Sequence, residues 1–499
     1  MERTGVSSLS DRRIVGDRHR PSRFNSARMR TFSFDQLACL GLVLLGGAAM
    51  LIFVPSLAGN VLLYGFALLF LAMAAWRILL VVLSRRAPPS APDPAVWPRY
   101  TIVAALHDEV DVVGQLIENL SQIDYPSDRL QGLLVLEAHD HATIAAALAA
   151  SRPDWLEVLI APPGSPQTKP RALNCALERA TGELLTVYDA EDDPDPLQLR
   201  EAAARFGQDM SGRLACLQAP LRIRRKHRAG SPSPFLDRQF AAEYAALFEV
   251  LMPGMARLGL PFPLGGTSNH FRVDVLRLIG GWDPYNVTED ADLGFRFWRN
   301  GWLQGVISRP TWETPPGNMD NWLPQRTRWL KGYMQTLGVH TRRGWRLGPA
   351  GLFSLFISLG AGLVSAAIHG PSLAWFAATV SVAAMAGLWP VIPFLAPVVC
   401  IIGAASAWTS CAIGARRAGI EYSPIDMLAA PAYWSLLSLA FVHASWRLVR
   451  EPFNWNKTSH RADAPAKPAA IIDLKKEVLD VEAAVRLSAP HVATFESRS

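Results

Sequence analysis

Two apolar runs near the start of the chain, Leu37–Val54 and Val61–Leu83, constrain it more than any other feature. Each is close to the roughly 20 residues that cross a bilayer as a helix, and each is nearly free of charge. Arg77, near the end of the second run, is the exception, and a side chain of that length can snorkel to the interface. The first run follows a basic, Ser-rich tail and is followed at once by the second, which argues against a cleaved signal peptide. Composition agrees: 50% of the residues are apolar, 18% are charged, and the mean hydropathy is +0.14. Such a chain is too apolar for intrinsic disorder. Its five cysteines form no C-x-x-C pair, so neither a disulfide scaffold nor a zinc knuckle is visible.

The texture changes over residues 84–346, a block of roughly 260 residues with the charge density of an ordinary soluble domain. The apolar pattern then resumes at Gly351–Ile368, Leu373–Leu388, Ile392–Ile413 and Leu428–Val449. Breaks fall at His369-Gly370-Pro371, at Trp389-Pro390 and at Arg416–Ser423. This predicts a basic tail (1–36), two spans (37–83), the soluble block, four spans (347–449), a short loop (450–460) and a second tail (461–499), for six spans in all. The tail contains one amphipathic stretch, Ala470–Leu487. Basic residues mark the cytosolic side. Arg12, Arg13, Arg18, Arg20, Arg23, Arg28 and Arg30 precede the first span, Arg85 and Arg86 follow the second, and Arg342, Arg343 and Arg346 precede the third. Both termini and the soluble block are therefore expected in the cytosol. Arg416 and Arg417 disagree, because six spans put them outside; a re-entrant segment between Leu373 and Ile413 would remove the conflict. The net charge of +6 is concentrated at these flanks, so it reports orientation and gives no reason to expect a nucleic-acid partner.

Within the block, Tyr100–Leu106, Leu133–Leu136 and Leu184–Tyr188 read as buried parallel strands, with helical spacing after the first two at Val112–Leu120 and Thr143–Ala150. Repeated strand, loop and helix predicts an α/β domain with a doubly wound, mostly parallel sheet. Ligands in such folds bind beyond the carboxyl ends of strands, where this chain places acidic clusters. The densest is Asp189–Asp195. If strand geometry persists, Asp189 and Glu191 face the same way and offer two hard oxygen ligands suited to Mg²⁺ or Mn²⁺. The same residues could instead form a solvated turn capping the next helix. Glu289, Asp290 and Asp292 precede an apparent helix at Leu293–Asn300, where an Asp can be a general base or an N-cap. Gln325, Arg328 and Trp329 share one helical face and combine an amide, a cation and an aromatic platform. An interfacial helix with a tryptophan belt would look the same.

These motifs, in this order and between apolar runs, resemble the processive family-2 glycosyltransferases, the group of cellulose and hyaluronan synthases. Gln167-Thr-Lys-Pro-Arg-Ala-Leu-Asn174, Tyr188-Asp-Ala-Glu-Asp192, Thr288-Glu-Asp290, Gln325-x-x-Arg-Trp329 and Trp455-x-Lys-Thr-x-His460 bring it closest to the XagB-type bacterial exopolysaccharide transferases. The resemblance implies a GT-A fold, a UDP-sugar donor with glucose as the default, and inverting transfer that elongates and exports a β-linked polysaccharide at a bacterial inner membrane. It implies Asp290 as the catalytic base. Asp189 and Glu191 match the metal-binding acids, although the family usually has Asp at the second position. Lys169, Asp140 and Glu109 fall at the nucleotide, with His139-Asp140 standing where the family pairs two acids. Thr267 and Ser268, in Gly265-Gly-Thr-Ser-Asn269, together with Glu289, Gln325, Arg328 and Trp329, are implied at the acceptor and diphosphate. Lys457, Thr458 and His460 match a gating loop. The implied partners are the UDP-sugar, the growing glycan, the lipid bilayer and accessory export proteins. Alternatives are transfer of a single sugar to a lipid-linked acceptor, or a non-catalytic scaffold that retains a transferase-like domain.

Overall fold

The computed structural model describes residues 26–28, 31–84, 93–94, 96–224, 234–389, 392 and 394–454. The basic tail before residue 26, Arg85, Arg86, the stretch Ala470–Leu487 and the expected gating-loop residues Lys457, Thr458 and His460 lie outside the described residues.

The soluble block is built on a seven-stranded sheet of β1 (Tyr100–Leu106), β2 (Leu130–Glu137), β3 (Leu156–Ala161), β4 (Leu184–Tyr188), β6 (Leu214–Gln218), β8 (Asn269–Arg272) and β9 (Leu303–Val306), in the order β3-β2-β1-β4-β8-β6-β9. Strands β3, β2, β1 and β4 run parallel, β8 is antiparallel to both neighbours, and β6 pairs parallel with β9. The expected mostly parallel sheet is thus a mixed sheet with one reversed strand. Three short strands, β5 (Asp193–Pro194), β7 (Leu221–Ile223) and β10 (Thr311–Glu313), form a second sheet at its edge. Side chains alternate between faces along a strand, and the core divides accordingly. Ile102, Ala104, Leu134 and Leu136 enter one cluster. Val103, Leu133, Val135 and Val187 enter the other, which continues without a break to Leu80, Leu363, Tyr433 and Ala440 on the apolar helices. One face of the sheet is therefore the surface on which those helices are seated.

Among the described residues, five helices are long and apolar enough to cross a membrane: Phe34–Phe53, Pro55–Leu83, Gly344–Met385, Leu395–Ala418 and Pro424–Arg450. The segments expected at Gly351–Ile368 and Leu373–Leu388 fall on one continuous helix, Gly344–Met385, where two helices were expected. The expected break contains Pro371, which removes a backbone donor. Beside it, the Gly370 N–H finds its partner on a neighbouring helix, donating to Ser438 Oγ at 2.9 Å, as backbone groups near prolines inside membrane helices do. This 42-residue helix is far longer than a bilayer requires. Its first turns pack against the domain instead, with Leu347, Leu355 and Leu359 clustered on Phe295.

The joining of two segments also removes the conflict at Arg416 and Arg417. Arg417 donates to the carbonyls of Ser84 (2.6 Å) and Glu249 (2.6 Å), so the C-terminal ends of Pro55–Leu83 and Leu395–Ala418 meet at the domain. Pro424–Arg450 is bound to the domain at both ends. Gln239 donates to the Asp426 carbonyl at 2.7 Å, and Lys331 Nζ donates to the carbonyls of Glu451 (3.0 Å) and Asn454 (2.9 Å). Between them, Trp322 meets Tyr433 and Thr327 meets His443, so this helix runs parallel to Met319–Thr341.

Candidate active site

The carboxyl ends of β1 and β4 open onto a cavity of 2080 Å³ that continues between the apolar helices. Strand β4 stops at Tyr188. Asp189–Asp192 is then a turn, closed by the Asp192 N–H on the Asp189 carbonyl (3.2 Å) and the Asp189 N–H on Asp192 Oδ2 (2.7 Å). The expectation that strand geometry would carry through to Glu191 fails for this reason, yet Asp189 and Glu191 both reach the cavity wall. Lys169, the first residue of the helix Lys169–Arg179, is ion-paired with Asp189 and donates to the Gly266 carbonyl at 2.8 Å. Gly266 keeps the centre open. A Cβ there would lie 3.4 Å from Asp290 Oδ2 and 4.0 Å from Asp189 Oδ2, so the two acids approach this glycine from opposite elements.

Asp290 lies within the helix Glu289–Arg299, which starts four residues earlier than its spacing suggested. Acidic side chains in a first turn are stabilised by the exposed N–H groups there, and Asp290 Oδ1 accepts from the Ala291 N–H at 2.7 Å. Burial nevertheless raises Asp290 to about 6, against the pull of that N–H, Lys169 and Arg328. Burial and the Asp290 charge push Glu289 up to about 8, and burial with the Asp189 charge pushes Glu191 up to about 8. Burial alone would lower Lys169, but Asp189 and Glu289 hold it above the ordinary lysine value. Glu313 on β10 lines the same wall and is raised by burial and by Asp192, Glu191 and Asp189. The sequence reading missed Glu313, since a lone acid in a three-residue strand reads as surface. The centre is thus a group of buried carboxylates in excess over its cations, Lys169 and Arg328.

Of the residues expected at the nucleotide, Glu109 lines the cavity and Asp140 does not. Asp140 is buried behind the wall, capping the helix His141–Ala149 through Thr143 N–H (3.2 Å) and accepting from the Asp108 N–H at 2.6 Å. Burial would raise it, but these donors outweigh burial and hold it low. It therefore positions the loop 107–109, in which Asp108 has φ 52°. Thr267 reaches the cavity while its hydroxyl donates to the Val187 carbonyl at 3.1 Å. Ser268 is wholly buried, with its hydroxyl on Thr311 Oγ1 (2.6 Å), and so shapes the loop without facing the cavity.

Gln325, Arg328 and Trp329 all line the cavity from Met319–Thr341. Gln325 Oε1 is buried without a hydrogen-bond partner among the described residues. The intervening Arg326, which the sequence reading passed over, holds this group in place. Its guanidinium sits 4.4 Å from the Trp329 ring centroid and 4.9 Å from that of Phe240. It pairs with both oxygens of Glu243 (2.8 and 2.6 Å) and donates to Tyr433 at 3.0 Å. Tyr244 stacks on the Trp329 ring at 6.0 Å.

Comparison with known proteins gives the family and the fold. The probable glycosyltransferase YdaM of Bacillus subtilis is 23% identical over 238 residues, 47% of this chain and 55% of that protein. The beta-monoglucosyldiacylglycerol synthase of Synechocystis is 27% identical over 244 residues, 48% of each. Cellulose synthase 1 catalytic subunit of Komagataeibacter xylinus is 26% identical over 265 residues, 51% of this chain and 33% of that protein. The chain thus matches about half or less of the length of these relatives. Among solved structures, the mannosyltransferase PcManGT of Pyrobaculum calidifontis, determined with GDP-Man and Mn²⁺, superposes with a TM-score of 0.51 at 19% identity, covering 79% of this chain and 97% of that one. The fold is accordingly GT-A-like. Residues 184–443 match the family described as glycosyl transferase family group 2, and with more than half of its length inside that match the chain belongs to this family.

Proposed function

We propose that this protein is a membrane-embedded, inverting glycosyltransferase that uses a UDP-sugar, with glucose as the default, to elongate a β-linked polysaccharide. The observation that carries this reading is the meeting of Asp290, Lys169 and Asp189 around Gly266, at the head of a cavity that runs on between apolar helices. Single displacement needs one base and a neutralised leaving group, and no covalent nucleophile. Asp290 serves as the base, taking the proton from the acceptor hydroxyl as it attacks the anomeric carbon. Lys169 and Arg328 supply positive charge to the departing diphosphate. Gln325, with its lone buried acceptor oxygen, receives a hydroxyl of the acceptor, and Trp329 offers its ring as a platform for a sugar.

Asp189 and Glu191 are the proposed holders of a divalent metal, Mg²⁺ or Mn²⁺. The residues fit a hard cation, because burial and the neighbouring Asp189 charge raise Glu191, and such an ion would offset both. When bound, the ion would neutralise charge on the diphosphate. Among the described residues these acids do not form a closed three-ligand set; the one set that does is His107, Asp108 and Asp140. A metal at Asp189 and Glu191 would therefore rely on phosphate oxygens and water for its other ligands. The Mn²⁺ and nucleotide sugar bound by the mannosyltransferase of similar fold support this reading.

The second reading, one sugar added to a lipid-linked acceptor, is supported by the apolar walls of the cavity and by the likeness to a glucosyldiacylglycerol synthase. The test is UDP release by the purified protein in lipid, with Mg²⁺ or Mn²⁺ and a panel of UDP-sugars, followed by sizing and linkage analysis of the product. Polymer supports elongation, and a single glycolipid supports the second reading. No release with any donor would remove both.

A further inference from the structure

Arg77 is the one basic residue within the two N-terminal apolar runs, and it does not snorkel to the surface. Its guanidinium turns inward, donates to Ser406 Oγ on the facing helix at 3.0 Å, and lines the same cavity as the active site. Among the described residues no carboxylate pairs with it; its neighbours are Ser406 and the Cys411 thiol. A cation among apolar helices is costly and calls for an anion. A second donor lies on the Ser406 helix: Trp408 Nε1 is buried without a partner among the described residues, and Trp408 also lines the cavity.

Depth indicates what the anion is attached to. Ser84 is fastened to Arg417 where two helix ends meet the transferase domain. Arg77 lies seven residues before it, roughly 10 Å deeper at a helical rise of about 1.5 Å per residue. Farther along the same helix, and on the helices facing it, the wall is apolar, including Leu62, Phe66, Phe70 and Val399. A cation on the domain side of a longer apolar wall matches an amphiphile with an anionic head and a hydrocarbon tail. A neutral glycan would offer the guanidinium no charge. We propose that Arg77 binds the phosphate of a membrane lipid seated in this lobe of the cavity, with its chain along the apolar wall. The site rests on the helices being membrane-embedded and is independent of which sugar is transferred.

The test is binding of radiolabelled dioleoylphosphatidic acid to the full-length protein in a neutral detergent, with no sugar donor present, so its outcome is separate from that of the transferase assay. One saturable site is expected, displaced by unlabelled phosphatidic acid. Dioleoylglycerol, inorganic phosphate and oligogalacturonate should compete far less well. Arg77→Gln, which keeps a donor for Ser406, should weaken binding about tenfold or more, while the exposed Arg416→Gln leaves it unchanged. Equal affinity in wild type and Arg77→Gln, or equal losses in the two variants, would overturn the proposal. So would dioleoylglycerol competing as well as phosphatidic acid (a site for chains alone), inorganic phosphate doing so (a free-anion site), or oligogalacturonate doing so (a path for acidic glycan). Should Arg77→Gln fail to fold, the wild-type competitions decide by themselves.

Discussion

Asp290 shows how a single side chain here depends on its surroundings. Burial raises it to about 6, so it gains a proton as the pH falls through that value. A protonated acid cannot accept the acceptor's proton. We therefore expect kcat/KM to fall below about pH 6 and to level off above it, which a pH–rate profile at saturating metal would check. Asp290→Asn should reduce transfer by about a thousandfold, within the range for a lost general base, while leaving UDP binding near wild type. Calorimetric titration with UDP separates the two effects, and retained transfer would reject Asp290 as the base. Glu191 and Glu289 are raised from ordinary carboxylate values to about 8, so the folded protein holds these protons more tightly than the unfolded chain. The metal-free protein should then lose stability as the pH rises toward and through 8. Added Mn²⁺ should raise the melting temperature most at the alkaline end, and Asp189→Ala should abolish that gain. A metal effect that is the same at pH 6 and pH 9 would contradict the argument. The acids of this centre were legible as motifs, but Glu313 and Glu243 were not, because they join it from elements distant in sequence; the role of Arg326 was hidden because its partner Glu243 lies 83 residues away.

At the scale of elements, the site depends on how closely the helix Met319–Thr341 approaches the loop that leads to Asp290. Asn286 Nδ2 donates to Thr336 Oγ1 at 3.1 Å, and the Val287 N–H donates to Gln335 at 3.0 Å. Gly332 permits this approach, since a Cβ there would lie 2.3 Å from Thr288 Oγ1 and 2.7 Å from Thr288 Cβ. Gly332→Ala should therefore push the helix away, costing about 1–3 kcal/mol of stability as overpacking does and lowering kcat. Adding Thr288→Ala, which removes the nearest atoms, should restore part of both losses. Thermal melts and initial rates of the single and double variants would check this, and additive losses would argue against a shared contact. Helices and strands were largely visible in the periodicity. Their ends were less so: strand pairing stops at Tyr188, and Glu289 and Asp290 are drawn into a first turn. The first is closed by bonds between Asp189 and Asp192, and the second follows a loop held by Thr336 and Gln335 from a distant helix.

Across the whole molecule, the arrangement of the apolar helices decides the topology. Pro424–Arg450 is bonded to the domain at both ends, so we expect four helices to cross and the chain to return to the domain's side after Leu395–Ala418. In a cysteine-free background, Leu388→Cys should react with an impermeant maleimide from the face opposite the domain, and Glu421→Cys should react only from the domain's face. Labelling of Glu421→Cys from the opposite face would restore the six-span arrangement. The sequence by itself determined that this chain divides between two solvents, that its soluble part is α/β, and where most of its acidic motifs fall. Hydrophobic runs and local periodicity depend on composition along the chain, so they can be read in one dimension. Only the tertiary structure decided that two apolar segments form one helix, that Arg77 turns inward, and that Asp140 and Ser268 stand behind the cavity wall. Each depends on a partner that arrives from far along the chain: Ser438 for the helix, Ser406 for Arg77, Asp108 and Thr311 for the other two. Two of these, Asp140 and its Asp108 partner, are 32 residues apart, and the other three pairs are separated by 43, 68 and 329 residues.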